Sequence, residues 1–205
     1  MTAAAEGLVR RCGDRALLVE TADPAGLAAA LRVLALADVV EIVPAATTVL
    51  LRHGAAADVA ALSRALTTTE PLPSTAGAGE AVIDVVYDGD DLHDVADLVG
   101  LSPEAVVALH QAPAYEVAFC GFAPGFAYLR GLDPRLVVPR LAAPRIRVPA
   151  GSVAVADVWS AVYPRESPGG WRLLGRTDAM LWDSGRAEPA LLAPGTRVRF
   201  REVPR

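Results

Sequence analysis

From Tyr115 to Asp183 the chain is interrupted by Gly or Pro every few residues, with aromatics and Arg between them. Its centre reads Gly121-Phe122-Ala123-Pro124-Gly125-Phe126-Ala127-Tyr128-Leu129. It continues through Pro144-Arg145-Ile146-Arg147-Val148-Pro149-Ala150-Gly151-Ser152 to Tyr163-Pro164-Arg165-Glu166-Ser167-Pro168-Gly169-Gly170-Trp171 and Gly175-Arg176-Thr177. Each Gly permits a positive φ or a close backbone approach, and each Pro fixes φ and removes a donor. Such a stretch cannot sustain helices. It suits short strands joined by rigid turns that present side chains from loops.

The elements on either side follow from periodicity and capping. Ala16-Leu17-Leu18-Val19 predicts a strand. Asp23-Pro24 predicts an N-cap followed by Pro at the first helical position, and Leu27, Leu31 and Leu34 carry a helix over about 24–36. Strands at 39–43 and 47–51 flank the turn at Pro44-Ala45-Ala46, and a second helix follows at about 56–66. Strand–helix–strand–strand–helix suggests a split βαβ, ferredoxin-like small domain. Residues 67–79 shift to Thr, Pro, Ser, Ala and Gly, which sets a boundary between domains 1–76 and 77–205. Beyond it, 81–87 predicts a strand. Asp90 or Asp91 caps a helix ending at Gly100, and Ser102-Pro103-Glu104 starts another that runs to about His110. Short strands follow at 115–119, 146–148, 153–155, 161–163, 171–174 and 196–202. The last alternates Val198 and Phe200 against Arg197, Arg199 and Arg201. The class is α+β, with a barrel or sandwich in the second half.

Composition narrows the chemistry. At 53% hydrophobic and 21% charged residues, with a net charge of −5, the chain suits a globular protein and disfavours nucleic acid or an anionic membrane as partner. No apolar run reaches membrane-spanning length, and the opening residues lack a signal peptide's basic region, so a cytoplasmic location is expected. All nineteen basic residues are Arg. Without Lys there is no P-loop, no internal Schiff base, no Ser-Ser-Lys amidase site and no biotin attachment. Cys12 and Cys120 form no disulfide framework and lack zinc-ligand spacing, so no metal is expected. Asp88-Gly89-Asp90-Asp91 fails the calcium-loop spacing.

The blocks just quoted, with Tyr115-x-Val117 and a weaker Gly13-Asp14-Arg15-Ala16-Leu17, resemble the family of 5-oxoprolinase B subunits. That family is also called allophanate hydrolase subunit 1 or the KipI-type kinase inhibitors. The resemblance covers almost the whole chain. It implies that the second domain is a cyclophilin-like β-barrel. It also implies that the chain is the B subunit of an ATP-dependent 5-oxoprolinase, opening the lactam of pyroglutamate to glutamate. The expected hetero-oligomer includes homologues of the C and A subunits, and ATP is handled outside this chain. A carboxyltransferase-like half, as in urea carboxylase, lies within the same class. The alternative is a docking module that inhibits a sensor histidine kinase.

Candidate residues follow, each with a plainer alternative. Pro124-Gly125 suits a type II turn presenting Phe122 and Phe126 to a ligand or partner; otherwise both rings are core. Gly169 and Gly170 could expose backbone N–H groups as an oxyanion nest, with Ser167 adding a hydroxyl; otherwise they form an interstrand loop. Gly151-Ser152 offers a second oxyanion turn, or a simple turn into a strand. His110 is the best general acid–base candidate, at a place where the family tends to carry a histidine; otherwise it sits at a helix C-terminus. Arg145 and Arg176 lie inside the matched blocks and are favoured as anion binders. Cys120 is a reactive thiol or a small buried apolar residue.

Overall fold

The computed structural model describes residues 9–72 and 79–204. The chain divides into two units, Met1–Ala76 and Gly77–Arg205. Residues 73–78 of the expected linker lie outside the described residues.

In the first unit, β1 (Arg10–Arg11) and β2 (Ala16–Glu20) precede α1 (Pro24–Val33). Then come β3 (Val39–Pro44), β4 (Thr48–His53) and α2 (Val59–Thr68). Asp23 caps α1 by accepting from the Gly26 N–H at 2.9 Å, as its sequence demands. The antiparallel sheet runs β1-β2-β4-β3, so β4 lies between β2 and β3. Leu27 and Leu31 of α1 and Leu62 and Leu66 of α2 close one core against Leu17, Val19, Val49 and Leu51. The element order is the expected strand–helix–strand–strand–helix, which does not by itself make the unit ferredoxin-like. Among the described residues no strand after α2 joins this sheet, and the outer place beside β2 is held by β1.

The second unit contains β5 (Glu80–Val85), α3 (Leu92–Val99), α4 (Pro103–Gln111), β6 (Tyr115–Cys120) and β7 (Ala127–Arg130). It continues with β8 (Arg145–Val148), β9 (Ser152–Ala156), β10 (Trp159–Val162), β11 (Ser167–Gly169), β12 (Arg172–Arg176) and β13 (Arg197–Glu202). Seven strands form a mixed sheet in the order β12-β9-β10-β7-β6-β13-β5, where β13 and β5 run parallel. The two edge strands nearly meet. Val86 and Arg176 exchange both backbone hydrogen bonds at 2.9 Å, which makes the sheet a nearly closed barrel. Strands β8 and β11 stand apart as a two-stranded ribbon.

The barrel interior holds Ile83, Val85, Val117, Leu129, Val153, Val155, Val162, Leu174 and Phe200. Side chains alternate along a strand, so Ala154, Ala156, Ala161, Tyr128 and Leu173 point outward. The alanines and Leu173 are buried, and Tyr128 is partly so. They pack with Phe126, Val148, Tyr163 and Trp171 in a second core on the outer wall. The Gly/Pro-rich segments are therefore a covering layer over β9, β10 and β12, and only part of the stretch supplies barrel strands. On β13, by contrast, the outward Arg199 and Arg201 pair with Glu80 and Asp84 of β5 at 3.1 and 2.6 Å. Among the described residues, no helix is long and apolar enough to cross a membrane.

Closure depends on Gly175. A Cβ there would stand 2.4 Å from the Val86 carbonyl and 2.9 Å from the Tyr87 Cα, both backbone atoms that cannot step aside. Gly175→Ala should force the seam apart and destabilise the second unit by about 2–3 kcal/mol, the scale of an overpacked core. Urea unfolding followed by tryptophan fluorescence measures it, since Trp159, Trp171 and Trp182 all lie in this unit.

Candidate functional site

The sequence-predicted loops converge on a residue that sequence reasoning did not single out. Tyr163 is buried, and its backbone binds the Gly151-Ser152 turn. The Gly151 N–H donates to the Tyr163 carbonyl at 2.8 Å, and the Tyr163 N–H donates to the Ser152 carbonyl at 2.9 Å. Its ring meets Phe126 edge-on at 5.3 Å and Phe122 at 6.3 Å. Its hydroxyl reaches the third loop, where a Cβ on Gly169 would lie 2.3 Å from it, and it has a backbone hydrogen bond with Trp171. Loops 121–126, 149–152 and 167–171 are thus anchored on one residue, by its backbone and its ring. The signal was available: Tyr163 stands at the head of its own Gly/Pro block.

The 121–126 loop is a double turn. The Ala123 N–H donates to the Gly121 carbonyl at 2.8 Å around Phe122, whose φ of +69° places it in a tight three-residue turn. The Phe126 N–H then closes on the Ala123 carbonyl at 3.0 Å, and Gly125 has the φ of +82° that a type II turn requires after Pro124. Phe126 is core and Phe122 is exposed, so the two rings divide between the two readings given for them. A positive φ on an aromatic residue costs about 1–3 kcal/mol and persists only where its surroundings enforce it.

Gly169 and Gly170 do not form a nest. A nest alternates right- and left-handed residues, and neither glycine has a positive φ. Gly169 is paired with Arg145 in the ribbon, and the Gly170 carbonyl accepts from the Leu141 N–H at 2.8 Å. Ser167 sits on the same ribbon, its hydroxyl turned to the Arg165 carbonyl at 3.4 Å.

The structure corrects the reading of His110 as an acid–base group. Its side chain is sealed inside the barrel at 0% exposure, boxed by Tyr87, Tyr115 and Phe200. Nδ1 lies 2.7 Å from the Tyr87 hydroxyl, and Nε2 lies 2.9 Å from Ser160 Oγ. Ser160 Oγ in turn donates to the Ala154 carbonyl at 3.3 Å. The chain of donors closes when Tyr87 donates to Nδ1 and Nε2–H donates to Ser160. Burial pushes the imidazole down to about 3, so it stays neutral. It joins α4 to β5 and β10 across the core, and it is not brought together with Ser167.

Arg145 is held by a nearly buried carboxylate. Its Nη2 donates to Asp91 Oδ1 at 2.7 Å, while Asp91 Oδ2 accepts from the Leu173 N–H at 2.7 Å. The Asp91 side chain therefore makes no cap hydrogen bond to α3. It ties helix, ribbon and barrel wall together, and Arg145 acts there as a brace. Cys120 is half-buried, burial raises its thiol, and it donates to the Leu192 carbonyl at 3.4 Å, so it is the small buried residue of the two readings.

Arg176 and Ser152 do share an opening. A cavity of about 250 Å³ is lined by Asp88, Asp90, Pro149, Ser152, Gly175 and Arg176, among others. Gly151 lies at its rim with φ +80°, too close to the Thr177 carbonyl for any Cβ. Ser152 Oγ donates to the Pro149 carbonyl at 2.9 Å. Arg176 donates through Nε and Nη2 to Asp88 Oδ2 at 3.2 and 3.1 Å. A guanidinium carries five N–H donors, so these two contacts do not exhaust it. Among the described residues, no group of three His, Cys, Asp or Glu is placed to hold a metal ion.

Two measurements test this geometry. Tyr163→Phe removes the hydroxyl that braces the third loop. Stability should fall by about 1–2 kcal/mol, with faster amide exchange confined to 167–171. For His110, the folded pKa lies below the unfolded one. Its contribution is therefore complete above pH 6.5 and is lost as pH falls toward 3, at about 1.4 kcal/mol per pH unit. Urea midpoints taken between pH 7.5 and 4.5 should show that slope, and His110→Asn should flatten it.

Residues 8–192 match the family model of the carboxyltransferase domain, subdomain C and D. A relative from Escherichia coli O157:H7, the B subunit of 5-oxoprolinase, is 40% identical over 201 residues, covering 92% of each chain. The crystal structure of TTHA0988 superposes with a TM-score of 0.80 at 38% identity. It covers 94% of this chain, whereas this chain spans only 40% of TTHA0988. The Kluyveromyces lactis urea amidolyase shares the fold at a TM-score of 0.75 and 19% identity; 95% of this chain and 15% of that one are covered.

Proposed function

Because the chain belongs to the 5-oxoprolinase B-subunit family, we propose that it is the B subunit of an ATP-dependent complex that hydrolyses 5-oxoproline or a closely related small amide. It is inactive alone and forms one wall of a composite site whose other wall is a C-subunit homologue. An A-subunit homologue completes the complex, which works in the cytoplasm. The observation that carries this reading is the convergence of three loops on Tyr163, beside a small cavity to which Asp88, Asp90, Ser152 and Arg176 contribute.

The cavity's chemistry supports a small lactam acid. 5-Oxoproline presents one carboxylate, one amide N–H and one amide carbonyl. Arg176 is the donor suited to the carboxylate, and Asp90 is an acceptor suited to the N–H. Hydrolysis of the unactivated lactam is slow, and phosphorylation of its oxygen by ATP supplies the activation. The described residues do not fit a triphosphate. The chain has no Lys, Gly169 and Gly170 are not positive-φ residues, and Asp88 and Asp90 flank the Arg176 guanidinium. This supports the reading in which the phosphoryl step belongs elsewhere in the complex and this chain binds and orients the amide.

The test is an assay of 5-oxoproline with ATP. The purified chain alone should produce no glutamate, and adding homologues of the C and A subunits should restore turnover. In that complex Arg176→Gln should raise KM about tenfold, the loss of one charge-assisted contact, with a smaller effect on kcat. Robust glutamate production by the chain alone overturns the proposal. Inhibition of a sensor histidine kinase, with no turnover in any combination, favours the docking-module alternative.

A further inference from the structure

The outer aromatic core does not end in solvent-compatible residues. It breaks through to the surface as large apolar side chains. Phe122 is 59% exposed, Trp182 43% and Met180 60%. All three are neighbours. A Cβ on Gly125 would lie 2.9 Å from the Trp182 Cβ, so the Phe122 turn rests directly on the 180–182 segment. Within that segment Leu181 is buried while Met180 and Trp182 point out.

We propose that this surface is the seat of a second polypeptide, homologous to the part of the TTHA0988 chain that lies outside the region matched here. This rests on the hetero-oligomeric reading above and identifies the face that reading leaves unspecified. In TTHA0988 this module accounts for 40% of one continuous chain, so further polypeptide is tethered to it. Contiguous apolar area of this kind marks an interaction site. The backbone agrees. The positive φ at Phe122 holds a large ring out of the core at a cost in strain, and a partner that covers the ring offsets both strain and exposure. The turn is already rigid, so little conformational entropy is lost on docking.

The charges around the surface also suit a protein partner over a lipid one. Arg147 pairs with Glu166 at 2.7 Å, and Arg186 pairs with Asp183 at 3.4 Å. These are paired ions of both signs, the polar rim that surrounds an apolar protein interface. An anionic bilayer calls instead for a cluster of uncompensated cations.

The test uses the full chain and, as probe, the polypeptide from the same organism that is homologous to the remainder of TTHA0988. Binding is measured by calorimetry. Phe122→Gly relieves the backbone strain, so folding is not at risk, and Met180→Glu changes an exposed residue of the neighbouring segment. Each should weaken binding by roughly 30-fold, the scale of an interface hot spot. Leu98→Ser, on an exposed part of α3, should change it less than twofold. Wild-type binding that both variants retain overturns this face while leaving the complex intact. Self-association of the chain alone, abolished by Phe122→Gly, assigns the surface to a second copy and also overturns the proposal. No binding by the wild type overturns the hetero-oligomeric reading together with this one.

Discussion

Strands β9, β10 and β12 are apolar on both faces, and much of the second unit follows from the need to cover both. Inward, Val153, Val155, Val162 and Leu174 fill the barrel; outward, Ala154, Ala156, Ala161 and Leu173 need a second layer. Small residues on the outer face let that layer approach closely. The chain supplies it from segments rich in Gly and Pro, which can lie flat against a sheet where a helix could not. Phe126, Tyr163 and Trp171 then provide the bulk that the alanines lack. Ring centroids stand 5.3 Å apart for Phe126 and Tyr163 and 5.6 Å apart for Phe126 and Trp171, both edge-on, the arrangement aromatic quadrupoles favour.

Much of this was legible in the residues. Asp23-Pro24 and Ser102-Pro103 mark helix starts because a cap needs an acceptor and the first turn tolerates Pro. Gly100 ends α3 with φ +69°, as a left-handed cap should. The alternation in β13 correctly separates Val198 and Phe200 from the arginines. The run Val153-Ala154-Val155-Ala156 also held the key fact, because an unbroken apolar strand is a strand buried on both sides. Its short length hid that meaning. Strand β7 was hidden for a different reason. Ala127–Arg130 directly follows the Pro124-Gly125 turn, and the turn's signal dominated the local reading.

The site was less legible, because its failures are all long-range. Asp91 has a capping residue's place in the sequence but spends both oxygens on Arg145 and the Leu173 backbone, far along the chain. His110 ends a helix, where a surface histidine is common, yet it lies beneath β13 and β10 with three aromatic neighbours. Periodicity reports which face of an element is apolar. It does not report which element will close over that face, and both residues turn on the second question.

The two surfaces of interest are joined through one residue. The backbone of Tyr163 holds the Gly151-Ser152 turn, which borders the Arg176 cavity, while its ring meets Phe122 on the other side. Both connections are short and rigid: two backbone hydrogen bonds in one direction, a ring contact in the other. A polypeptide that presses on Phe122 therefore bears on the strand that carries Ser152, with no flexible segment between to absorb the displacement. A barrel wall with a soft outer face could not link the two surfaces in this way. A wall buried on both sides can, because neither layer moves without repacking the other.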